Sequence, residues 1–411
     1  MNILTVSTLY PNNKEPKHGI FVRNRLMHLR QDFPDVNATV IAPVPWFPFK
    51  VSSGPLAEYA KFAGVDSEEL RDGLEVLHPR YLVIPKIGMY ITPFFLYLAM
   101  RSAFKKLEKR GAKFDLIDGH YFFPDGVAIA RLAAKVKLPF TVTARGTDVN
   151  LIPQFPKARA MITEVASKAS AAITVCKALK DSLLEFADVT EKIYVLRNGV
   201  DLNFFTSTTA QQQASLKSKV WDVPEDKKLI LSVGHLIERK GHALVIQSVK
   251  DLSDCVLLVA GDGPDLAALE LLVKEYALTD RVRFLGALSQ DQLKILYQSA
   301  DALVLASSRE GWANVLLESM ACGTSVVATN LWGTPEVVAS PDAGILVDRS
   351  AAAIGEGLKK LFTANIRRSD TRHYAEQFDW LSTSTGQYQI FNQIKQASLA
   401  TESLEMPAKD H

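Results

Sequence analysis

A chain of 411 residues, 47% hydrophobic and 22% charged, has the composition of a globular protein large enough for two packed domains, which excludes a disordered, collagen-like or coiled-coil chain. The net charge of +2 conceals an asymmetry: residues 1–200 hold 27 basic and 19 acidic side chains, a balance of +8, and the remainder stands at −6. The two halves are therefore expected to meet different partners, and a surplus so modest, with no aromatic–basic module, excludes nucleic acid as one of them.

The opening MNILTVSTLYPNN has no basic n-region and no A-x-A site, and reads as a first strand and its loop. Apolar, β-branched runs at Ile3–Ser7, Ala38–Ala42, Phe114–Ile117, Phe140–Thr143, Ala172–Val175 and Ile193–Leu196 predict strands. Helical periodicity over Phe21–Arg30, Gly126–Ala134 and Lys177–Phe186 separates most of them. Strands that are continuously apolar, not alternating, are buried on both faces, so the expectation is a parallel sheet covered by helices. The polar tract 206–227, opening on TSTTAQQQAS, reads as a linker or exposed loop. Strands restart at Lys228–Val233, Cys255–Ala260, Val282–Leu285, Ala302–Ala306 and Val326–Thr329. The simplest architecture is α/β: two Rossmann-like doubly wound domains facing a central cleft, with ligands at the carboxyl ends of strands.

Three scattered cysteines, Cys176, Cys255 and Cys322, form neither a disulfide framework nor a CxxC knuckle, which suits a reducing compartment. The longest apolar run, Ile87 to Met100, is shorter than the ~20 residues a membrane span needs. The expected location is the cytoplasm, or peripherally the inner face of its membrane. No G-x-G-x-x-G, P-loop, D-x-D or HExxH occurs, so neither a dinucleotide nor a metal is expected.

The strongest positive feature is SREGWANVLLE, residues 308–318, running into SMACG. A strand ends just before it, Asn314 is placed to N-cap the following helix, and Gly323 to stop it. Glu310 then lies in a loop at a strand's carboxyl end and Glu318 about one turn into the helix. The amides of Trp312, Ala313, Asn314 and Val315 would open the helix N-terminus, which binds phosphate. A phosphate site beside two carboxylates suits a ligand that has both phosphates and vicinal hydroxyls, as a nucleotide sugar does. The plainer alternative makes Glu310 a loop cap and Glu318 a solvated helical residue.

At these residues the chain resembles the retaining family 4 glycosyltransferases, whose fold is GT-B. Their Glu-x7-Glu block is matched by Glu310, Gly311, Val315, Leu317, Glu318, Met320–Gly323 and Val326–Ala328, with Ser319 and Ser325 as departures. The resemblance implies that Glu318 holds the nucleotide ribose, Glu310 sits beside the donor sugar, and the Gly311–Val315 amides hold the sugar and distal phosphate. SVGHLIERKG, residues 232–241, is similar to the family's VGRL-x-x-x-KG element. That implies a diphosphate clamp at Lys240, with His235 where the family has arginine and the neighbouring Arg239 either compensating or a surface charge.

VAGDGP at 259–264, Leu285 in the FLG strand end near the base, and NGVD at 198–201 continue the resemblance, as do Phe378-Asp379-Trp380 and a C-terminal helix crossing back to the first domain. In the first half Gly19 would approach the donor phosphates and His120 would face the donor sugar. Arg23, Arg145 and Asp148 are the acceptor-side candidates. The implied catalytic set is Glu310, Lys240 and His120.

The domain boundaries expected are 1–205, a linker at 206–227, 228–378, a crossover helix at 379–396 and a flexible tail at 397–411. The resemblance implies a metal-independent retaining transfer of a hexose-type sugar from a nucleoside-diphosphate sugar, a co-substrate and not a cofactor. The acceptor would be a glycan or a lipid-linked saccharide, typically in bacterial cell-surface polysaccharide synthesis. The basic first half, with Trp46–Lys50 and Phe94–Arg110, is expected either to touch an anionic membrane or to present an ordinary solvated helix face. A non-catalytic nucleotide-sugar or glycan-binding protein is the alternative, and its mark is His235. Epimerases and glycan phosphorylases share the fold, but the complete Glu-x7-Glu block argues against them.

Overall fold

The computed structural model describes residues 1–46, 61–84 and 88–405. The expected aromatic loop at Phe47–Lys50 therefore lies outside the described residues. The chain forms two compact units, Met1–Arg197 together with the segment from Leu381 onward, and Asn198–Trp380.

In the first unit the strands are β1 (Asn2–Val6), β2 (Asn37–Ile41), β3 (Val44–Trp46), β4 (Glu68–Arg71), β5 (Leu74–Leu77), β6 (Arg80–Leu82), β7 (Leu116–His120), β8 (Phe140–Ala144), β9 (Ala171–Thr174) and β10 (Ile193–Val195). The main sheet runs β10-β9-β8-β7-β1-β2-β5-β4 and is parallel except for the β4–β5 hairpin at its edge. β3 and β6 form a separate pair. Ile3, Leu4 and Val6 of β1 are all buried, so this strand is covered on both faces, as its unbroken apolar sequence requires.

Strand order reverses between β1 and β7, and a buried carboxylate ties the loops that leave them. Asp125 accepts from the Thr8 amide at 2.6 Å and from its hydroxyl at 2.9 Å. Burial pushes the Asp125 carboxyl up to about 7.

The helix Trp380–Glu405 completes this unit. Its Ile390 and Phe391 enter the core formed by Ile3, Val22, Leu26, Leu29, Val40 and Leu116, and Tyr388 stacks on Phe33 at 4.1 Å. Buried Arg25 donates from Nε to Gln387 Oε1 at 2.7 Å and from Nη1 to the Leu196 carbonyl at 3.0 Å. The helix continues past residue 396, where a flexible tail was expected to begin.

The second unit contains β11 (Lys228–Val233), β12 (Cys255–Ala260), β13 (Val282–Gly286), β14 (Ala302–Leu305), β15 (Val326–Thr329) and β16 (Gly344–Val347). They pair in parallel in the order β13-β12-β11-β14-β15-β16, the doubly wound order with its switch point between β11 and β14. Ile230, Leu257, Val259, Val304 and Val327 make the centre of its core.

Residues 206–227 are not a bare linker. Thr209 and Gln212 form a reciprocal capping box that starts a helix over Ala210–Trp221. This helix is fastened to the second unit by Trp221 Nε1 on Ser299 Oγ at 2.8 Å and by Gln213 on the Ala300 carbonyl at 2.8 Å. The polarity of TSTTAQQQAS hid a run of good helix formers behind a cap.

The unit boundary lies at Arg197, not at 205. Asn198 is already bound within the second unit, where its carbonyl accepts from Trp312 Nε1 at 2.9 Å. All three cysteines are buried and none forms a disulfide. Among the described residues no helix is long and apolar enough to cross a membrane.

Candidate functional site

In the second unit the site grows from the two strands at the switch point. β11 ends at Val233, and the chain turns through Gly234 into a short 3-10 turn, Glu238–Lys240. Gly241 follows with φ +71°, and a Cβ there would lie 2.2 Å from the Ala306 carbonyl oxygen. Only glycine lets this turn approach the end of β14 so closely. The approach places Lys240 Nζ 2.6 Å from Glu310 Oε1. The Ser307 hydroxyl donates to the same oxygen at 2.6 Å.

Arg239 stands with its Nη1 3.7 Å from Glu310 Oε1 and donates to the Arg309 carbonyl at 2.8 Å. The Ser308 amide in turn bonds the Arg239 carbonyl at 2.8 Å. Two loops remote in sequence are thus stitched into one platform. Lys240 and Glu310 keep only 17% and 11% of their side-chain surface exposed, so their attraction is less screened than a surface pair's. Glu310 is thus bonded both within its own loop, by Ser307, and from the other, by Lys240.

The helix Asn314–Ala321 starts directly beyond this platform. Asn314 is its first helical residue, not its N-cap. Ala313 occupies the cap position, and Asn314 Oδ1 accepts from Asn198 Nδ2 at 3.3 Å. The first amides of this helix lack intrahelical partners by geometry. Trp312 serves by its indole, which is buried against Phe378 and anchored on Asn198. Gly323, with φ +80°, ends the helix as expected.

Glu318 is half-buried and accepts from the Tyr297 hydroxyl at 3.0 Å. Burial pushes its carboxyl up to about 7, against the lowering effect of Tyr297. It is therefore not a solvated helical residue. Tyr297 and Ser307 are neighbours of these carboxylates that sequence reasoning missed: nothing local marks the contact between Tyr297 and Glu318, and Ser307 stands only three residues before Glu310.

His235 departs from what an arginine would offer. Its Nδ1 meets the Asp262 carbonyl, which can only accept, so the proton sits on Nδ1. The neutral ring then offers Nε2 to the outside as an acceptor, which is unsuited to a phosphate oxygen. His242, a further missed residue, steadies this turn. Its Nδ1 meets Ser232 Oγ at 2.8 Å and its Nε2 the His235 carbonyl at 3.3 Å, and burial holds the ring down at about 4.

The GDG turn is structural. A Cβ on Gly261 would lie 1.8 Å from the Gly234 carbonyl oxygen, and one on Gly263 2.4 Å from that of Leu236. Leu285, half-buried, lies at the carboxyl end of β13, where Gly286 accepts from the Gly261 amide at 2.8 Å.

The first unit gathers a separate cluster at the carboxyl ends of β7 and β8. His120 is 1% exposed, with Nε2 3.2 Å from Asp118 Oδ2 and Nδ1 2.7 Å from Arg145 Nη2. Guanidinium can only donate, so Nδ1 accepts and Nε2–H points to Asp118. Burial, assisted by Arg145, lowers the imidazole to about 4. Burial alone would raise the Asp118 carboxyl, but His120, Arg25 and Arg145 outweigh it and hold it below its ordinary range. Gln387 also reaches Asp118, at 3.4 Å.

Both ring nitrogens of His120 therefore have partners inside the unit. Asp148 accepts from the amides of Phe122, Arg145 and Gly146 at 2.9, 3.1 and 2.8 Å, and so shapes the loop that aims Arg145. Arg23 lies apart from this cluster in a bidentate pair with Asp72, at 2.7 and 2.6 Å. Gly19, φ +62°, spares a clash with the Leu9 backbone, 2.1 Å from where its Cβ would stand. Among the described residues no group of three acidic, histidine or cysteine side chains is arranged to hold a metal ion.

Comparison with known proteins gives this geometry a family. Residues 59–204 match the Glycosyltransferase Family 4 profile, and residues 214–378 match Glycosyl transferases group 1. TuaC of Bacillus subtilis (strain 168), a glycosyltransferase assigned to teichuronic acid biosynthesis, is 26% identical over 367 residues, spanning 88% of this chain and 89% of its own.

Among solved structures, sucrose-phosphate synthase from Thermosynechococcus elongatus superposes with a TM-score of 0.75 at 18% identity, covering 97% of this chain and 100% of its own. Anabaena HepE in complex with UDP and glucose gives 0.71 at 17%, covering 96% and 100%. These likenesses identify the fold as GT-B. With two profiles matched in order along the chain and Glu310 and Glu318 at the spacing the family shares, the chain belongs to the group 1, family 4 glycosyltransferases.

Proposed function

We propose that this glycosyltransferase takes a hexose-type sugar from a nucleoside-diphosphate sugar and passes it, with retention at the anomeric carbon, to a glycan or lipid-linked acceptor. The observation that carries the reading is the Lys240–Glu310 pair at the β11/β14 switch point, 2.6 Å long, with Glu318 farther along the helix that leaves the same loop. Lys240, helped by Arg239 and by the helix N-terminus at Ala313–Val315, stabilises the charge that develops on the leaving diphosphate. Glu310 binds sugar hydroxyls and orients the ring, and Glu318 accepts from the ribose hydroxyls. Leu285 packs against the base.

The acceptor hydroxyl oxygen forms the new bond to the anomeric carbon as the bond to the β-phosphate oxygen breaks. Its proton passes to that phosphate oxygen, so the step requires no separate base. Arg145, aimed by Asp148 and bonded to His120, is the first unit's cationic contribution to acceptor binding. HepE, which is solved with UDP and glucose, supports the donor class, and TuaC supports cell-surface polysaccharide synthesis as the setting.

The competing reading, a nucleotide-sugar-binding protein without turnover, draws on His235 and its Nε2 acceptor. Incubation with UDP-, GDP- and ADP-sugars and an oligosaccharide or lipid-linked acceptor separates the two. Release of nucleoside diphosphate, with a product of unchanged anomeric configuration by NMR, is the expected result. Tight donor binding without release would establish the competing reading.

A further inference from the structure

The helix Thr92–Lys109 and the arginine that caps it, Arg110, hold five exposed or half-buried cationic side chains, and the structure sorts them into two sets. Lys106 and Arg110 turn toward the β4–β5 hairpin and pair with Glu68 and Glu75. Arg101, Lys105 and Lys109 have no ion-pair partner among the described residues. At 3.6 residues per turn these three share one face with Ile91, Phe94 and Leu98. Those apolar side chains are 44%, 46% and 42% exposed, whereas the opposite face, with Leu96, Met100, Phe104 and Leu107, is buried. The outward face is thus apolar along its first half and cationic along its second, with Glu108 on its margin.

A second segment extends the apolar end. The Lys157 ammonium lies 5.7 Å over the Tyr90 ring, so the start of the helix Pro156–Lys168 stands beside the start of this one. Phe155, immediately before it, is 48% exposed. Four large exposed apolar side chains beside unpaired cations, in a half of the chain whose balance is +8, have the composition of an interaction surface.

We propose that this face of the first unit docks on an anionic lipid surface. Ile91, Phe94, Leu98 and Phe155 enter the boundary between headgroups and acyl chains. Arg101, Lys105, Lys109 and Lys157 meet the lipid phosphates, their long stems lying along the apolar layer. Charge complementarity selects an anionic bilayer, because cationic side chains gain binding near such a surface and none near a neutral one. The inference is independent of donor chemistry, and it places the enzyme where a lipid-linked acceptor would be presented.

The test is sedimentation of the full chain with vesicles of equimolar phosphatidylcholine and phosphatidylglycerol, or of phosphatidylcholine alone. Wild type should partition roughly tenfold or more in favour of the anionic vesicles, and high salt should weaken that binding. Phe94→Gln with Leu98→Gln, and separately Lys105→Gln with Lys109→Gln, should each lose most of it while keeping the melting temperature. Lys106→Gln, whose charge is already paired, should bind as wild type does.

Wild type left in the supernatant with both vesicles overturns the proposal, as does binding that survives both double variants. A concentration-dependent dimer in light scattering, abolished by Phe94→Gln with Leu98→Gln, would also overturn it, by assigning the face to a second copy of the chain.

Discussion

Lys240 and Glu310, 70 residues apart in sequence, meet at 2.6 Å because Gly241 lets one loop press against the strand end that launches the other. On the proposed reading the cation is thereby held in place before the diphosphate arrives, with Ser307 donating to the same carboxylate oxygen. Preorganised charge of this kind is where most catalytic stabilisation originates. Lys240→Ala should therefore lower kcat by about a hundredfold or more. Glu310→Gln should lower turnover while nucleoside-diphosphate affinity stays within about threefold. Steady-state kinetics with the donor identified, together with calorimetric titration of the nucleoside diphosphate alone, separate these effects.

With Glu318 in the proposed donor site, donor binding should depend on pH. Its carboxyl is pushed up to about 7, so below neutrality the free protein holds it protonated, and ribose hydroxyls bind best to the ionised acceptor. Affinity for the nucleoside diphosphate should rise by up to about tenfold from pH 6 to pH 8. Glu318→Gln should bind more weakly than wild type at pH 8 and show a flatter profile. A wild-type profile that falls over this range would contradict the assignment.

His235 offers a gain-of-function test. Because its Nδ1–H is spent on the Asp262 carbonyl, the neutral ring has no donor left for phosphate. His235→Arg should tighten nucleoside-diphosphate binding by about tenfold at pH 8 through a charge-assisted contact. Isothermal titration of wild type and variant at that pH decides the matter.

A buried carboxylate should leave its mark on the stability of the first unit. Asp125 has its pKa raised from the ordinary 3.8 to about 7. Between those values the folded chain binds a proton that the unfolded chain releases. Its contribution is therefore greatest below the lower value, declines as pH rises toward 7 and is level beyond. Asp125→Asn keeps an acceptor for the Thr8 amide and removes this decline. The difference in melting temperature between wild type and variant should shift in the variant's favour from pH 5 to pH 8, and an unchanging difference would contradict the burial argument.

The sheets were legible where strands are covered on both faces, because continuous runs such as Leu229–Val233 and Cys255–Ala260 have no other use. The edge strands were not. β4 and β5 are short and punctuated by Glu68, Glu69 and Glu75, and β16, though apolar from Ile345 to Val347, is only four residues long and half-buried. The capped helix at Ala210–Trp221 was hidden by its polarity.

In the site, Glu310 and Glu318 could be placed on one loop and the helix that leaves it from their spacing, whereas Lys240 was reached only through the resemblance of its KG element. Tyr297 could not, since its contact with Glu318 is created only by the folded chain, and Ser307, three residues before Glu310, carries no motif of its own. The same holds for His120, whose contacts with Asp118 and Arg145 are made only in the folded chain. Asn314 was expected as a cap and is instead the first helical residue, because Ala313 already carries the non-helical conformation.

The most direct test of the central claim is calorimetric titration of the full chain with UDP-, GDP- and ADP-sugars, for wild type and Glu318→Ala. The assignment of the second unit as the donor site predicts that one nucleotide binds wild type and that the variant binds it at least about tenfold more weakly. Failure of all three to bind at millimolar concentration, or equal affinity in the variant, would contradict it.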